Sequence, residues 1–351
     1  MRILQFPAFK GNLILESVTI DNLTPGNFYT FYISVVVGES MVEGNDTSIS
    51  TYTYPGEVVN LTVSNITTSS VFLSWLSPVG NSSSFLIQIL QNSTFEMKLA
   101  TSSAEISDLQ PGNLYTFLVS ALVGETNIQG NSSEISAYAM PGRIKNLTIV
   151  CFTLRTVSLS WQQPEGNYSS YMLRISQFPT FKGVMGLTSV TIDSLTPGNF
   201  YTFYVSAAVG EYFAEGDSTN ISIYMKPEQV KNLTSYNISS TSLSLKWDPP
   251  NGNYSSFLIQ LLGNTSFSLT VPSEGNISAS LVQMLDNSTS SRIVKSNVVS
   301  IEGLTPGNMY TFFITALVGE SNLQGDSATI APYTSRCIFC NKCNILLFQQ
   351  Y

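Results

Sequence analysis

The sequence predicts an all-β chain of tandem two-sheet sandwiches, each with seven antiparallel strands, strung into an extended array. Three observations carry this. A nine-residue motif occurs four times, from Leu23 (LTPGNFYTF), Leu109 (LQPGNLYTF), Leu195 (LTPGNFYTF) and Leu304 (LTPGNMYTF), at spacings of 86, 86 and 109 residues. A period that long, with one motif fixed inside it, marks an array of similar domains rather than one large core. Short runs alternate apolar and polar residues, and none carries the 3.6-residue stripe of a helix. Gly, Pro, Asn and Ser separate the runs, as turns between short strands require.

The second repeat, 55–140, is the cleanest unit. After Pro55-Gly56 comes a run with Val58, Leu61 and Val63, then Val71, Leu73 and Trp75 on one strand face. Following the turn at 78–81, Phe85, Ile87 and Ile89 form the next inward face. The motif then leads into Tyr115, Phe117, Val119 and Ala121, Gly124 and Gly130 bracket a polar hairpin, and Glu134 to Tyr138 reads as the last strand. The third repeat, 141–226, repeats this with Val157, Leu159 and Trp161, then Tyr171, Leu173 and Ile175. The fourth, 227–335, does so with Leu243, Leu245 and Trp247, then Phe257, Ile259 and Leu261. Trp75, Trp161 and Trp247 end alternating strands and read as core plugs. Tyr29, Tyr115, Tyr201 and Tyr310 enter the strand after a Pro-Gly turn, where a hydroxyl can bond back to turn backbone as a tyrosine corner. The motif is therefore expected to be a folding device, with binding surfaces elsewhere.

Three stretches depart from the pattern. Residues 1–54 correspond to the later part of a repeat and lack its first two strands and their Trp, so an apolar face and a sheet edge are expected to be exposed. The fourth repeat carries about 23 extra residues near 271–297, read as a tolerated insertion in which Leu281 to Leu285 forms a short strand or helical turn. From Arg336 to Tyr351 no domain opening follows. That tail reads as a gene-model artefact, and the chain as a fragment. The near absence of linkers at Pro55-Gly56, Pro141-Gly142 and Pro227 predicts a semi-rigid rod.

Composition narrows the chemistry. Apolar residues make up 43%, charged residues 11%, and the net charge is −8. Such a chain would not neutralise a row of phosphates, so nucleic acid is not an expected partner. No stretch reaches the roughly 18 consecutive apolar residues of a membrane span. There is no His, which removes His-dependent triads and the usual nitrogen ligand of zinc. Glu39, Glu125, Glu211 and Glu320 recur in Val-Gly-Glu hairpins and read as turn residues. Cys337, Cys340 and Cys343 have thiolate-site spacing but are one ligand short of a structural zinc. Cys151 has no partner in register, and no Arg-Gly-Asp tripeptide is present. No catalytic residue, cofactor or metal is expected.

The surface signal is the Asn-x-Ser/Thr sequon, present sixteen times. Asn22 precedes a Thr-Pro and is set aside. Asn45, Asn60, Asn65, Asn81, Asn92, Asn131, Asn146, Asn167, Asn220, Asn232, Asn237, Asn253, Asn264, Asn276 and Asn287 are the glycosylation candidates. Asn60, Asn146 and Asn232 recur at 86 residues, as do Asn81, Asn167 and Asn253. Heavy glycosylation implies the secretory route and an extracellular face.

The Pro-Gly opening, the Trp on the second strand, the motif and its Tyr-x-Phe strand together resemble the fibronectin type III domain, over nearly all of residues 1–335. The resemblance implies an immunoglobulin-like sandwich array. Within that family the wording PGxVxNLT…SW…GNxSS…LTPGNxYTF…VGE resembles ectodomain repeats of receptor-type tyrosine phosphatases of the eta and beta kind. That implies a non-catalytic extracellular region of a single-pass cell-surface receptor. It would be a glycosylated spacer and adhesion or ligand-binding surface for an extracellular protein or matrix component. The parent would be a phosphatase, or else a secreted matrix or scaffold protein. The phosphatase signature places Arg six positions after a Cys, and no Cys here satisfies it.

Overall fold

The structure, a computed structural model, describes residues 2–3, 6–10, 16–262, 268–270 and 289–336. Every regular element among them is a strand. The chain falls into two compact units. One is Met1–Ile144 with Gln163–Met172 and Ser206–Ser218; the other is Lys145–Gln162 with Leu173–Val205 and Thr219–Tyr351. The division runs through the third repeat rather than along a repeat boundary.

In the first unit, the second repeat is a complete sandwich. One sheet has the order Asn92–Leu99, Ser84–Ile89, Leu114–Val123, Ile128–Tyr138; the other has Ser103–Ile106, Val71–Leu76, Val59–Ser64. All contacts are antiparallel, and Phe117 stands opposite Ile89, Val119 opposite Ile87 and Ala121 opposite Phe85. This register puts the three inward rows in one layer, because side chains two apart share a face. Val71, Leu73, Trp75, Phe85, Ile87 and Ile89 are all buried there. The Trp75 indole meets the Phe85 ring edge-on, with centroids 5.4 Å apart and planes at 73°, a favoured aromatic arrangement. Each fully buried large side chain contributes about 1.5–3 kcal/mol.

The last strand is longer than its polar sequence suggests. It begins at Ile128 rather than Glu134, since Asn127 takes φ 53° and closes the hairpin early. Ser120 and Ser132 then share a hydroxyl hydrogen bond of 2.8 Å, so polar residues are satisfied inside a strand where alternation gave no signal. The first repeat forms one four-stranded sheet, Phe6–Lys10, Arg2–Ile3, Phe28–Ile33 and Thr47–Tyr52, with a small hairpin of Val36–Val37 and Val42–Glu43. Ile33, Val35 and Ile49 on this remnant are exposed.

In the second unit, Lys145–Phe152, Val157–Gln162 and Ser189–Ile192 form a three-stranded sheet, and Phe200–Val205 is paired with Thr219–Tyr224. Val157, Leu159 and Trp161 are buried. The fourth repeat pairs Thr289–Val294, Ser256–Leu262, Phe312–Val318 and Leu323–Ile330 in one sheet. Its other sheet holds Lys231–Tyr236, Ser242–Asp248, Val298–Glu302 and Ser268–Thr270. Trp247 is fully buried and edge-on to Phe257, with centroids 5.3 Å apart. The later part of the 271–297 stretch thus belongs to the sandwich, because Thr289–Val294 pairs with Ser256–Leu262 as Asn92–Leu99 pairs with Ser84–Ile89. Leu281 to Leu285, Asn264, Asn276, Asn287 and the three tail cysteines lie outside the described residues.

Candidate functional site

The four motif copies share one local geometry. In each, the Tyr hydroxyl accepts a hydrogen bond from the backbone N–H five residues earlier: Thr24 to Tyr29 at 2.9 Å, Gln110 to Tyr115 at 2.8 Å, Thr196 to Tyr201 at 3.0 Å and Thr305 to Tyr310 at 2.7 Å. Tyr29, Tyr201 and Tyr310 are buried, whereas Tyr115 is half-buried. At Tyr29 burial raises the phenol pKa, but hydrogen bonds with Thr24 and Asn27 outweigh it and the net shift is downward.

The Pro-Gly-Asn part of the motif faces a different task. Gly112 has φ 72°, and a Cβ placed on it would lie 1.7 Å from the Asn167 carbonyl oxygen. The same holds for Gly26 against Asn81 at 1.8 Å and Gly198 against Asn253 at 1.7 Å. The contact is therefore between one repeat and the next, backbone against backbone, and admits only glycine. It is closed by hydrogen bonds from the N–H of Asn81, Asn167 and Asn253 to the carbonyls of Pro25, Pro111 and Pro197 at 3.0, 2.9 and 3.1 Å. The side-chain amides repeat the pattern. Asn167 Nδ2 donates to Asn113 Oδ1 at 2.5 Å, Asn253 to Asn199 at 2.6 Å, and Asn81 to Asn27.

A second contact completes each joint. Gly124, Gly210 and Gly319, from the Val-Gly-Glu hairpins, sit against the rings of Tyr52, Tyr138 and Tyr224 of the preceding repeat, where a Cβ would approach to 2.7, 2.6 and 2.8 Å. The hairpin glycines are thus close-packing residues as well as turn residues. At the joint between the third and fourth repeats, Arg155 and Glu228 add an ion pair of 2.5 Å. The fourth motif copy carries no such joint among the described residues, and Gly307 meets only the Arg336 side chain. Crevices of about 590 and 560 Å³ remain open at the first and third joints. The first is lined by Phe28, Tyr52, Asn81 and Glu125, the other by Phe200, Tyr224, Asn253 and Glu320.

These joints correct the reading of the motif as a folding device alone: its Tyr serves the fold, and its Gly and Asn serve the neighbouring sandwich. They also give the recurring sequons a second cause. Asn81, Asn167 and Asn253 recur because each holds a joint. Asn60, Asn146 and Asn232 recur where the first strand of each repeat bulges, with φ of 54°, 52° and 50°, a left-handed conformation Asn tolerates better than most residues. Asn146 and Asn232 also donate to Gln162 and Asp248 at 2.7 Å. All twelve glycosylation candidates within the described residues, from Asn45 to Asn253, are exposed. Sequence reasoning missed the joints, although a signal existed: Asn27, Asn113 and Asn199 each stand 54 residues before Asn81, Asn167 and Asn253.

No group of three or more metal-ligating side chains occurs among the described residues, and Cys151 is an exposed free thiol. No helix there is long and apolar enough to cross a membrane.

Comparison with known proteins agrees with the architecture. The fibronectin type III domain family matches residues 55–137, 142–223 and 227–331. Receptor-type tyrosine-protein phosphatase eta of Gallus gallus is 27% identical over 329 residues, covering 91% of this chain and 22% of the relative. Receptor-type tyrosine-protein phosphatase H of Homo sapiens is 31% identical over 252 residues, covering 67% and 21%. Tenascin-R of Homo sapiens is 24% identical over 327 residues, covering 89% and 23%. The chain spans about a fifth of the length of these relatives. A two-domain fibronectin type III segment of chicken tenascin aligns with a TM-score of 0.36 and 20% identity, over 48% of this chain and 99% of that one. The family match covers more than half of the chain and falls on the three complete repeats. The chain belongs to the fibronectin type III domain family.

Proposed function

We propose that this chain is a non-catalytic extracellular region of a single-pass cell-surface receptor, acting as a glycosylated spacer and as a binding surface for an extracellular protein or matrix component. The repeated joint carries the reading. Three successive boundaries are closed by the same Gly-to-Asn contact and the same amide pair. Such contacts between one repeat and the next favour a spacer whose loops and sheet faces are offered to partners. Glycans on the exposed Asn residues would restrict which faces are available. The similarity to receptor-type phosphatases favours a parent with a cytoplasmic phosphatase domain; the similarity to Tenascin-R favours a secreted matrix protein as the second reading.

The test is to express the chain behind a secretory leader. The expected result is a secreted protein whose apparent mass falls on enzymatic deglycosylation and which binds the surface of adherent cells. Secretion without glycans, or no binding to any cell surface or matrix, would overturn the proposal. A transcript that continues into a membrane span and a Cys-x5-Arg signature selects the phosphatase parent, and one that stops without a span selects the matrix protein.

A further inference from the structure

The crevices at the first and third joints are built alike. Each has an aromatic floor: Phe28 against Tyr52 with centroids 4.9 Å apart, and Phe200 against Tyr224 at 4.8 Å. The rings are not fully used by the fold, since Phe28 and Phe200 stay 45% and 43% exposed. Each crevice also has one carboxylate, Glu125 or Glu320, placed directly after the hairpin glycine that packs on the Tyr. Both glutamates are exposed, and neither has an ion-pair or hydrogen-bond partner among the described residues. Among the described residues, no Lys or Arg lines either crevice.

We infer that these two crevices each take up an arginine side chain presented by an extended basic segment of a protein partner. A planar guanidinium stacks on an aromatic face and at the same time donates to a carboxylate at its edge, a combination an ammonium meets less well. The net charge of −8 on this chain draws such a segment in. The middle joint supplies an internal comparison, because Leu114 stands there where Phe28 and Phe200 stand in the others, although Tyr138 and Glu211 are kept. It offers the carboxylate without the aromatic pair.

The inference rests on the reading of the chain as a protein-binding surface and names the chemistry of the partner. It takes Asn81 and Asn253 as unmodified, their Nδ2 amides being held in the joints by Asn27 and Asn199, and it is tested with the full chain made without glycans. The probe is an octa-arginine peptide titrated by calorimetry at physiological salt. Glu125→Gln and Glu320→Gln, and separately Phe28→Leu and Phe200→Leu, are each expected to weaken one class of site about fivefold to tenfold. Glu105→Gln, an exposed glutamate on the strand Ser103–Ile106, should leave binding unchanged. Octa-lysine is expected to bind more weakly than octa-arginine. Equal binding of the two peptides, or an equal loss with Glu105→Gln, would show general charge attraction and overturn the inference. Unfolding midpoints of the variants establish that they are folded. If the chain binds cell surfaces but none of the four crevice substitutions matters, the crevice inference falls alone. If the crevices bind the peptide but no cell surface is bound, the adhesion reading falls alone.

Discussion

Gly112→Ala separates the two jobs of the motif glycine. The residue sits at φ 72°, where an L side chain costs about 1–2 kcal/mol. That cost falls on the second repeat whether or not a neighbour is docked. The added methyl group would also stand 1.7 Å from the Asn167 carbonyl oxygen, and no rotamer relieves a clash between Cβ and backbone. The third repeat must move back by more than an ångström. That displacement breaks the Asn167 N–H bond to Pro111 and the Asn167 amide bond to Asn113, each worth about 0.5–1.5 kcal/mol. The joint should therefore lose about 1–3 kcal/mol beyond the backbone strain. Gly307→Ala is the control, because Gly307 has φ 73° but faces the Arg336 side chain, Cγ at 3.1 Å, rather than a neighbouring backbone. The assay is a distance distribution between spin labels on either side of the joint, with urea unfolding of the same variants. Gly112→Ala should broaden the distribution and cost more than Gly307→Ala. Equal costs with an unchanged distribution would refute the assignment of the glycine to the joint.

Two further outcomes concern the sandwiches themselves. Tyr201→Phe should cost about 1–3 kcal/mol, since it orphans the Thr196 N–H beside a buried ring; Tyr115→Phe should cost less, because Tyr115 is half-buried and its bond to Gln110 is exposed, whereas that of Tyr201 is part-buried, so water can replace the Tyr115 hydroxyl. Denaturant unfolding gives both numbers, and a larger loss for Tyr115→Phe would contradict the burial argument. Trp247→Ala should destabilise the fourth repeat by about 3–5 kcal/mol, as it empties the centre of that core and removes the partner of Phe257. A loss under about 1 kcal/mol would mean that this core does not close around the Trp.

The strand faces could be read directly because they depend on local order. Val71, Leu73 and Trp75 share a face whatever the rest of the chain does, since residues two apart on a strand always do. A Tyr five residues after a turn N–H likewise needs no distant partner to be suspected. The last strand of the second repeat resisted, as Ser120 and Ser132 satisfy one another across it and carry no apolar signal.

What only the tertiary structure decided is what meets what across the repeats. Gly112 and Asn167 are ordinary turn residues in sequence, and nothing near either names the other. An Asn followed by x-Ser reads as a glycan acceptor because that signal is contiguous. That the same amide donates to the preceding sandwich is settled by the docking of two domains, at an interface to which each contributes a few backbone atoms. Sequence by itself determined the all-β sandwich class; the structure determined that the shared motif holds a tyrosine corner within one repeat and meets the next repeat through its Gly and Asn. Alternation is a property of one strand, whereas a joint requires two folded surfaces to exist before any contact can form.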